Sequence, residues 1–212
     1  MQITEIFFSL QGESSYAGLP CIFIRTAGCN LRCRYCDTNY SYGAGSSRTI
    51  DQIMTEIRQY TPVNLVEITG GEPLLQDDVI RLCEKLHEKD YLILLETNGS
   101  LSLRKVPGYV VKIVDVKTPG SGFEKSFLPE NLAHLDSEKD EMKFVISDRI
   151  DYEWSIDFIK RNELEKHKIL FSAVSDKISP GTLADWIVAD KLQVRLQLQL
   201  HKLLWGKDRR GV

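Results

Sequence analysis

The sequence predicts an α/β fold whose mostly parallel sheet of six to seven strands forms an open or incomplete α/β barrel. Two observations carry this expectation. Short apolar runs rich in strand formers alternate along the chain with stretches of helical periodicity, the order that βαβ units produce. The runs number six to seven, too few to close an eight-fold barrel. A doubly wound sheet has the same periodicity and stays open at this point.

The first of the runs is Cys21–Arg25, followed by Gly28. A helix follows, because Thr49 and Gln52 have the spacing of a capping box and Ile50, Ile53, Met54 and Ile57 recur on one face. Leu65–Ile68 reads as a strand entering Gly70-Gly71, and Val79, Leu82, Cys83 and Leu86 mark a second amphipathic helix. Tyr91–Leu95 is a third buried strand, closed by Asn98-Gly99. Val110–Val114, Lys143–Ile146, Ile169–Phe171 and Gln193–Leu198 continue the series, with helical stretches around Trp154–Ile159 and Leu183–Val188. Polar, glycine-containing segments fall just after the strands, at the edge where parallel sheets and barrels bind ligands.

At 212 residues the chain has the length of one domain, and residues 1–212 are read as one. With 42% hydrophobic and 27% charged residues it has an ordinary globular composition. A net charge of −3 without blocks of like charge argues against a nucleic-acid surface or a polybasic membrane patch. No apolar run is long enough to span a bilayer, and Met1–Glu5 lacks a basic leader region, so a cytoplasmic location is expected.

Three of the five cysteines crowd into one loop, Cys29-Asn30-Leu31-Arg32-Cys33-Arg34-Tyr35-Cys36. A reducing compartment would not keep disulfides, so clustered thiols point to a metal or redox group. Three thiolates suit a 4Fe–4S cubane whose fourth iron stays open to a small molecule, whereas electron-transfer clusters use four cysteines. A zinc site is the competing reading, with Cys21 or His87 as the fourth ligand. Cys83 shares an apolar helix face with Val79, Leu82 and Leu86 and reads as a packed thiol.

C-x3-C-x2-C with Tyr35 before its last cysteine resembles the signature of the radical S-adenosylmethionine (SAM) superfamily. That superfamily also has a GGE motif after its second strand, and Thr69-Gly70-Gly71-Glu72-Pro73 begins 33 residues after Cys36. Phe8–Glu13, Phe23–Cys29, Cys36-Asp37-Thr38, Glu96–Gly99, Asp115-Val116-Lys117 and Gln199–Trp205 are similar to the 7-carboxy-7-deazaguanine synthase family. Many members have glycine where this chain has Ser14.

The resemblance implies a radical SAM enzyme that converts 6-carboxy-5,6,7,8-tetrahydropterin to 7-carboxy-7-deazaguanine and ammonia on the route to queuosine. A reduced 4Fe–4S cluster on Cys29, Cys33 and Cys36 would cleave SAM, and the adenosyl radical would take hydrogen from C6 of the pterin before the ring contracts. It implies Mg2+ at Thr38, and a pterin wall of Leu10, Gln11, Gly12, Glu13, Arg25, Thr69, His201 and the terminal Val212. SAM is expected against Gly71, Glu72, Asp115, Val116, Lys117 and Lys143, Phe144, Val145 and Ile146. A flavodoxin- or ferredoxin-like electron donor, a homodimer and an incomplete, TIM-like barrel of about six parallel strands with a reduced set of about three core helices are implied as well. A glycyl-radical activase and a non-enzymatic iron–sulfur or zinc protein are the alternatives.

Overall fold

The computed structural model describes residues 1–206 and 209–211. Among the described residues nine strands form one sheet, β1 (Gln2–Leu10), β2 (Pro20–Thr26), β3 (Ser46–Ser47), β4 (Leu65–Gly70), β5 (Leu92–Thr97), β6 (Val111–Val116), β7 (Glu141–Ile146), β8 (Lys168–Ala173) and β9 (Arg195–Gln197). Five α-helices accompany them, α1 (Ile50–Ile57), α2 (Asp78–His87), α3 (Arg149–Arg161), α4 (Pro180–Ala189) and α5 (Leu200–Trp205). The sheet order is β3-β1-β2-β4-β5-β6-β7-β8-β9. From β2 to β9 every neighbouring pair is parallel. β1 joins antiparallel to β2 and β3. The fold is an open α/β barrel with seven parallel strands and four crossover helices, matching the seven runs and four helical stretches of the sequence, where the family resemblance implied about six strands and three core helices.

Strands added always on the same side, with right-handed crossovers, place the helices on one face. Alternate strand residues therefore meet two environments. Ile22, Ile24, Val66, Ile68, Ile93, Leu95, Val114, Val116, Phe144, Ile146 and Phe171 pack against α1–α4 in the main core. Each such side chain contributes about 1.5–3 kcal/mol of burial. The helices start where their caps allow. Thr49 and Gln52 form the expected capping box, Asp148 accepts the Asp151 N–H, and Ser179 accepts the Thr182 N–H.

The opposite, concave face carries two tiers. Near the strand starts Cys21, Phe23, Leu65, Leu94, Val111 and Ile113 form an apolar floor with Phe7 and Tyr16. Two or more residues further on, the same face carries Arg25, Glu67, Thr69, Glu96, Asp115 and Lys143, all on a cavity wall.

Two elements depart from the sequence reading. β1 was not visible as a strand, because a register shift between Ile3 and Glu5 breaks its alternation. The last run holds only three ladder residues, and residues 200–205 turn into α5, ended by Gly206 at φ +84°. Among the described residues no helix is long and apolar enough to cross a membrane.

Candidate active site

A cavity of about 810 Å³ opens at the C-terminal ends of the parallel strands. Its walls come from the loop after β1, the cysteine loop after β2, the glycine turn after β4, and the C-terminal segment.

The loop after β1 is tied from several sides. The Gln11 N–H and C=O bond to Leu19 O and Gly18 N, both at 2.8 Å. Ser14 sits at φ +64°, where glycine is at ease, and its hydroxyl accepts the Tyr16 N–H. The Ser15 N–H donates to both carboxylate oxygens of Glu141, which is fully buried on β7. The Gly12 C=O accepts the Leu200 N–H at 2.9 Å, joining the loop to α5. There a side chain on residue 12 would meet the His201 imidazole, whose Nδ1 lies 2.5 Å from the Cβ position. Burial lowers the pKa of His201 despite the nearby Glu13 charge, so the ring is neutral at neutral pH.

Lys143 is the electrostatic centre. Its ammonium bonds Glu13 Oε2 at 2.8 Å and Glu96 Oε1, with Asp115 Oδ2 at 3.8 Å. Burial alone would lower its pKa, but Glu13, Glu96 and Asp115 together raise it well above the ordinary value. Burial likewise opposes ionisation of Glu13, yet Lys143 and the Gln199 amide outweigh it and lower that pKa. Asp115 Oδ2 also accepts from Lys117 at 2.7 Å, while its buried Oδ1 has no hydrogen-bond partner among the described residues. Thr69 donates to Glu96 at 3.1 Å. Arg25 is held through Nε by Glu5 at 2.7 Å, and its two terminal nitrogens make no hydrogen bond to the described residues.

The cysteine loop lies beside this tier, with Cys29, Cys33 and Cys36 all on the cavity wall. Tyr35 fixes the loop by bonding Thr118 at 3.1 Å and the Val145 C=O at 3.2 Å. Thr38 donates to Asp37 at 3.0 Å, and Lys202 reaches Asp37 Oδ2 at 2.7 Å from the C-terminal side. Arg210 lies over the Tyr40 ring, 4.2 Å from its centroid.

Several expected contacts fall elsewhere. Glu72 is fully buried and already accepts from Thr97 Oγ1, Leu74 N and Asn98 N at 2.7–3.0 Å, so it braces the turn rather than waiting for an ammonium. Val116, Phe144 and Ile146 point into the helix-packed core, the wrong side of their strands for side-chain contact with SAM. Gly71 is needed for a different close approach from the one expected, since a Cβ there would collide with Gly28 O of the cysteine loop. Val212 lies outside the described residues. Leu10, Gln11, Gly12, Glu13, Arg25, Thr38, Thr69, Gly71, Asp115, Lys117, Lys143, Val145 and His201 all reach the cavity.

The Radical SAM superfamily profile matches residues 23–116, from β2 through β6. Over its whole length the chain is 47% identical to 7-carboxy-7-deazaguanine synthase of Koribacter versatilis, also covered in full. The enzyme of that name from Chlorobaculum tepidum is 43% identical, with 100% of this chain and 97% of the relative covered. The chain belongs to the 7-carboxy-7-deazaguanine synthase family. The crystal structure of QueE from Escherichia coli superposes with a TM-score of 0.77 over 94% of each chain at 24% identity, a likeness of fold.

Family membership makes the chain a radical SAM enzyme and implies a 4Fe–4S cluster with SAM; the activase and carrier readings are not favoured. The donor set fits such a cluster. Burial raises the pKa of Cys29 and Cys33, and the neighbouring thiols raise that of Cys33 further, a cost that an iron cation would remove. The zinc reading loses its fourth ligand. Cys21 is buried in the apolar floor at the start of β2, and His87 stacks on Tyr109 at the end of α2. No group of three or more His, Cys, Asp and Glu among the described residues is gathered around a single-ion position.

Sequence reasoning missed Glu5, Glu67, Glu96, Gln199, Lys202 and Arg210 as parts of this site. Glu67 and Glu96 had a signal, namely a charge at an alternate position inside an otherwise apolar buried strand. Such a residue must find a partner or a cavity.

Proposed function

We propose that this chain converts 6-carboxy-5,6,7,8-tetrahydropterin to 7-carboxy-7-deazaguanine and ammonia, within one unit spanning residues 1–212. The observation that carries the reading is a shared cavity. A three-cysteine wall adjoins a polar tier in which the two terminal nitrogens of Arg25 make no hydrogen bond to the described residues and Lys143 balances Glu13 and Glu96. The cluster and SAM, when bound, supply the radical that takes hydrogen from C6 of the substrate.

The chain's own residues bind and orient. Arg25 offers a planar fork to the pterin carboxylate, pre-set by its Nε bond to Glu5. Glu13, kept ionised by Lys143, accepts hydrogen bonds from the amino-pyrimidinone edge. Neutral His201 packs on Gly12 and closes the cavity from the C-terminal side. Asp115 Oδ1, without a hydrogen-bond partner among the described residues, provides a buried acceptor for SAM, beside Lys117. The Thr38 hydroxyl, next to Asp37, is an oxygen donor that would hold Mg2+, which would supply positive charge for the substrate carboxylate. A homodimer and a flavodoxin- or ferredoxin-like electron donor complete the working assembly.

The test is anaerobic turnover of the iron-loaded protein with 6-carboxytetrahydropterin, SAM, Mg2+ and a reductant, read by mass spectrometry. The expected outcome is 7-carboxy-7-deazaguanine with SAM used catalytically. Deoxyadenosine formed in equal amount to product, or no deazaguanine, would refute the reading.

A further inference from the structure

Glu67 stands at the boundary of the two concave tiers, in register with Phe23 on β2 and Leu94 on β5. It is 5% exposed, and its hydrogen-bond partner is Gln11, whose Nε2 donates to its carboxyl. Gln11 is as deeply buried, and its side-chain Oε1 accepts the Glu13 N–H at 3.0 Å. A carboxamide has one donor end and one acceptor end, so only one orientation satisfies both neighbours. Flipping it would face the Glu13 N–H with an NH2 group and leave buried polar atoms unpaired.

The protonation state of Glu67 suits this arrangement. Burial, and then the negative charge of Glu96, raise its pKa well above the carboxylate range, and Gln11 and Lys143 do not offset them. As an acid, Glu67 accepts from Gln11 through one oxygen without placing a third negative charge beside Glu13 and Glu96.

We propose that Glu67 is a positioning residue: it locks the Gln11 carboxamide, which fixes the Glu13 main chain and so aims the Glu13 carboxylate at the substrate and Lys143. This rests on the reading of Leu10–Glu13 as the pterin wall.

The test compares iron-loaded wild type with Glu67→Leu, which removes the link, and Glu67→Gln, which keeps a neutral group with a carbonyl acceptor for Gln11. Amide hydrogen exchange at Glu13 is measured without substrate, and KM and kcat are measured with the pterin. Glu67→Leu is expected to speed Glu13 exchange and raise KM by about tenfold each, the loss of one buried hydrogen bond, with kcat within about twofold. Glu67→Gln is expected to leave both within about twofold of wild type. Gln11→Leu cuts the same link from the other end, so it should reproduce the exchange change and stands in should Glu67→Leu fail to fold. Adding Glu67→Leu to it should change nothing further. Unchanged Glu13 exchange in the Leu variants overturns the proposal, as does a Glu67→Gln defect as large as that of Glu67→Leu. Exchange is read without substrate, so a wild type that forms no deazaguanine overturns the functional reading alone.

Discussion

Replacing Lys143 with methionine should destabilise the protein in a pH-dependent way. The side chain is 6% exposed, and its ammonium serves Glu13 at 2.8 Å, Glu96, and Asp115 at 3.8 Å. Removing one partner of a buried pair costs about 3–5 kcal/mol, because the remaining charge is left uncompensated. Glu13 and Glu96 keep 20% and 26% exposure, and Lys117 still neutralises Asp115, so the lower end, about 3 kcal/mol, applies near pH 8. For a chain of this size that corresponds to a fall in Tm of roughly 6–12 °C.

The sign of the pH dependence follows from the shifts. In the wild type the pKa of Glu13 is lowered, so its contribution is complete above its unfolded value and fades as pH falls through the folded one. That of Lys143 is raised, so its contribution is complete below its unfolded value and is lost only as pH rises through the folded one. Between about pH 5 and pH 10 both are therefore in place. In the variant burial, the largest influence on Glu13, is opposed by the Gln199 amide but no longer by Lys143, so its pKa rises and the variant loses stability as pH rises where the wild type holds steady. Denaturant midpoints measured anaerobically from pH 4.5 to 8.5 should show a gap that widens with pH. A gap of constant size, or none at pH 8, would refute the argument that Lys143 is held by charge.

Three further outcomes are expected. Alanine at Cys29, Cys33 or Cys36 should abolish iron loading in anaerobic metal analysis, whereas Cys83→Ala should not, because burial among core side chains pushes that thiol up to about 12. Thr38→Ala should shift the Mg2+ dependence of turnover to higher concentration with SAM affinity unchanged; an unaltered titration would leave Thr38 as a turn residue. Gly12→Ala should force His201 aside, costing about 1–3 kcal/mol by overpacking and raising KM for the pterin; an unchanged KM would remove His201 from the substrate wall.

The sequence made the parallel strands legible because most are buried on both faces and read as unbroken apolar runs, as in Tyr91–Leu95. Helix α1 was legible through its capping box and a 3.6-residue period, and α2 through the period alone. β1 was hidden by its bulge, and α5 by leucines at Leu196, Leu198 and Leu200 that alternate like a strand. The cysteine loop could be read because its spacing alone suggests the chemistry. The Lys143 cage could not, since its members lie on four separate segments that only the curvature of the sheet brings together. Glu72 misled for a related reason: a carboxylate beside two glycines looks like a ligand contact, and only the structure reveals that Thr97, Leu74 and Asn98 already occupy it.

The hydrogen bond from Leu200 to Gly12 has a consequence for how the molecule assembles. It joins residues that follow β1 and β9, near the two margins of the sheet, so it links distant parts of the chain across nearly all the strands between them. Contacts of such long sequence separation form late, after the intervening entropy has been spent. The strands and their helices can each dock on the one before, but the chamber above them acquires its last wall only when this clasp closes. A partly folded chain would thus present the three thiols to water on an unroofed sheet, which makes the closing step, rather than the core, the point at which an oxygen-sensitive cluster gains its shelter.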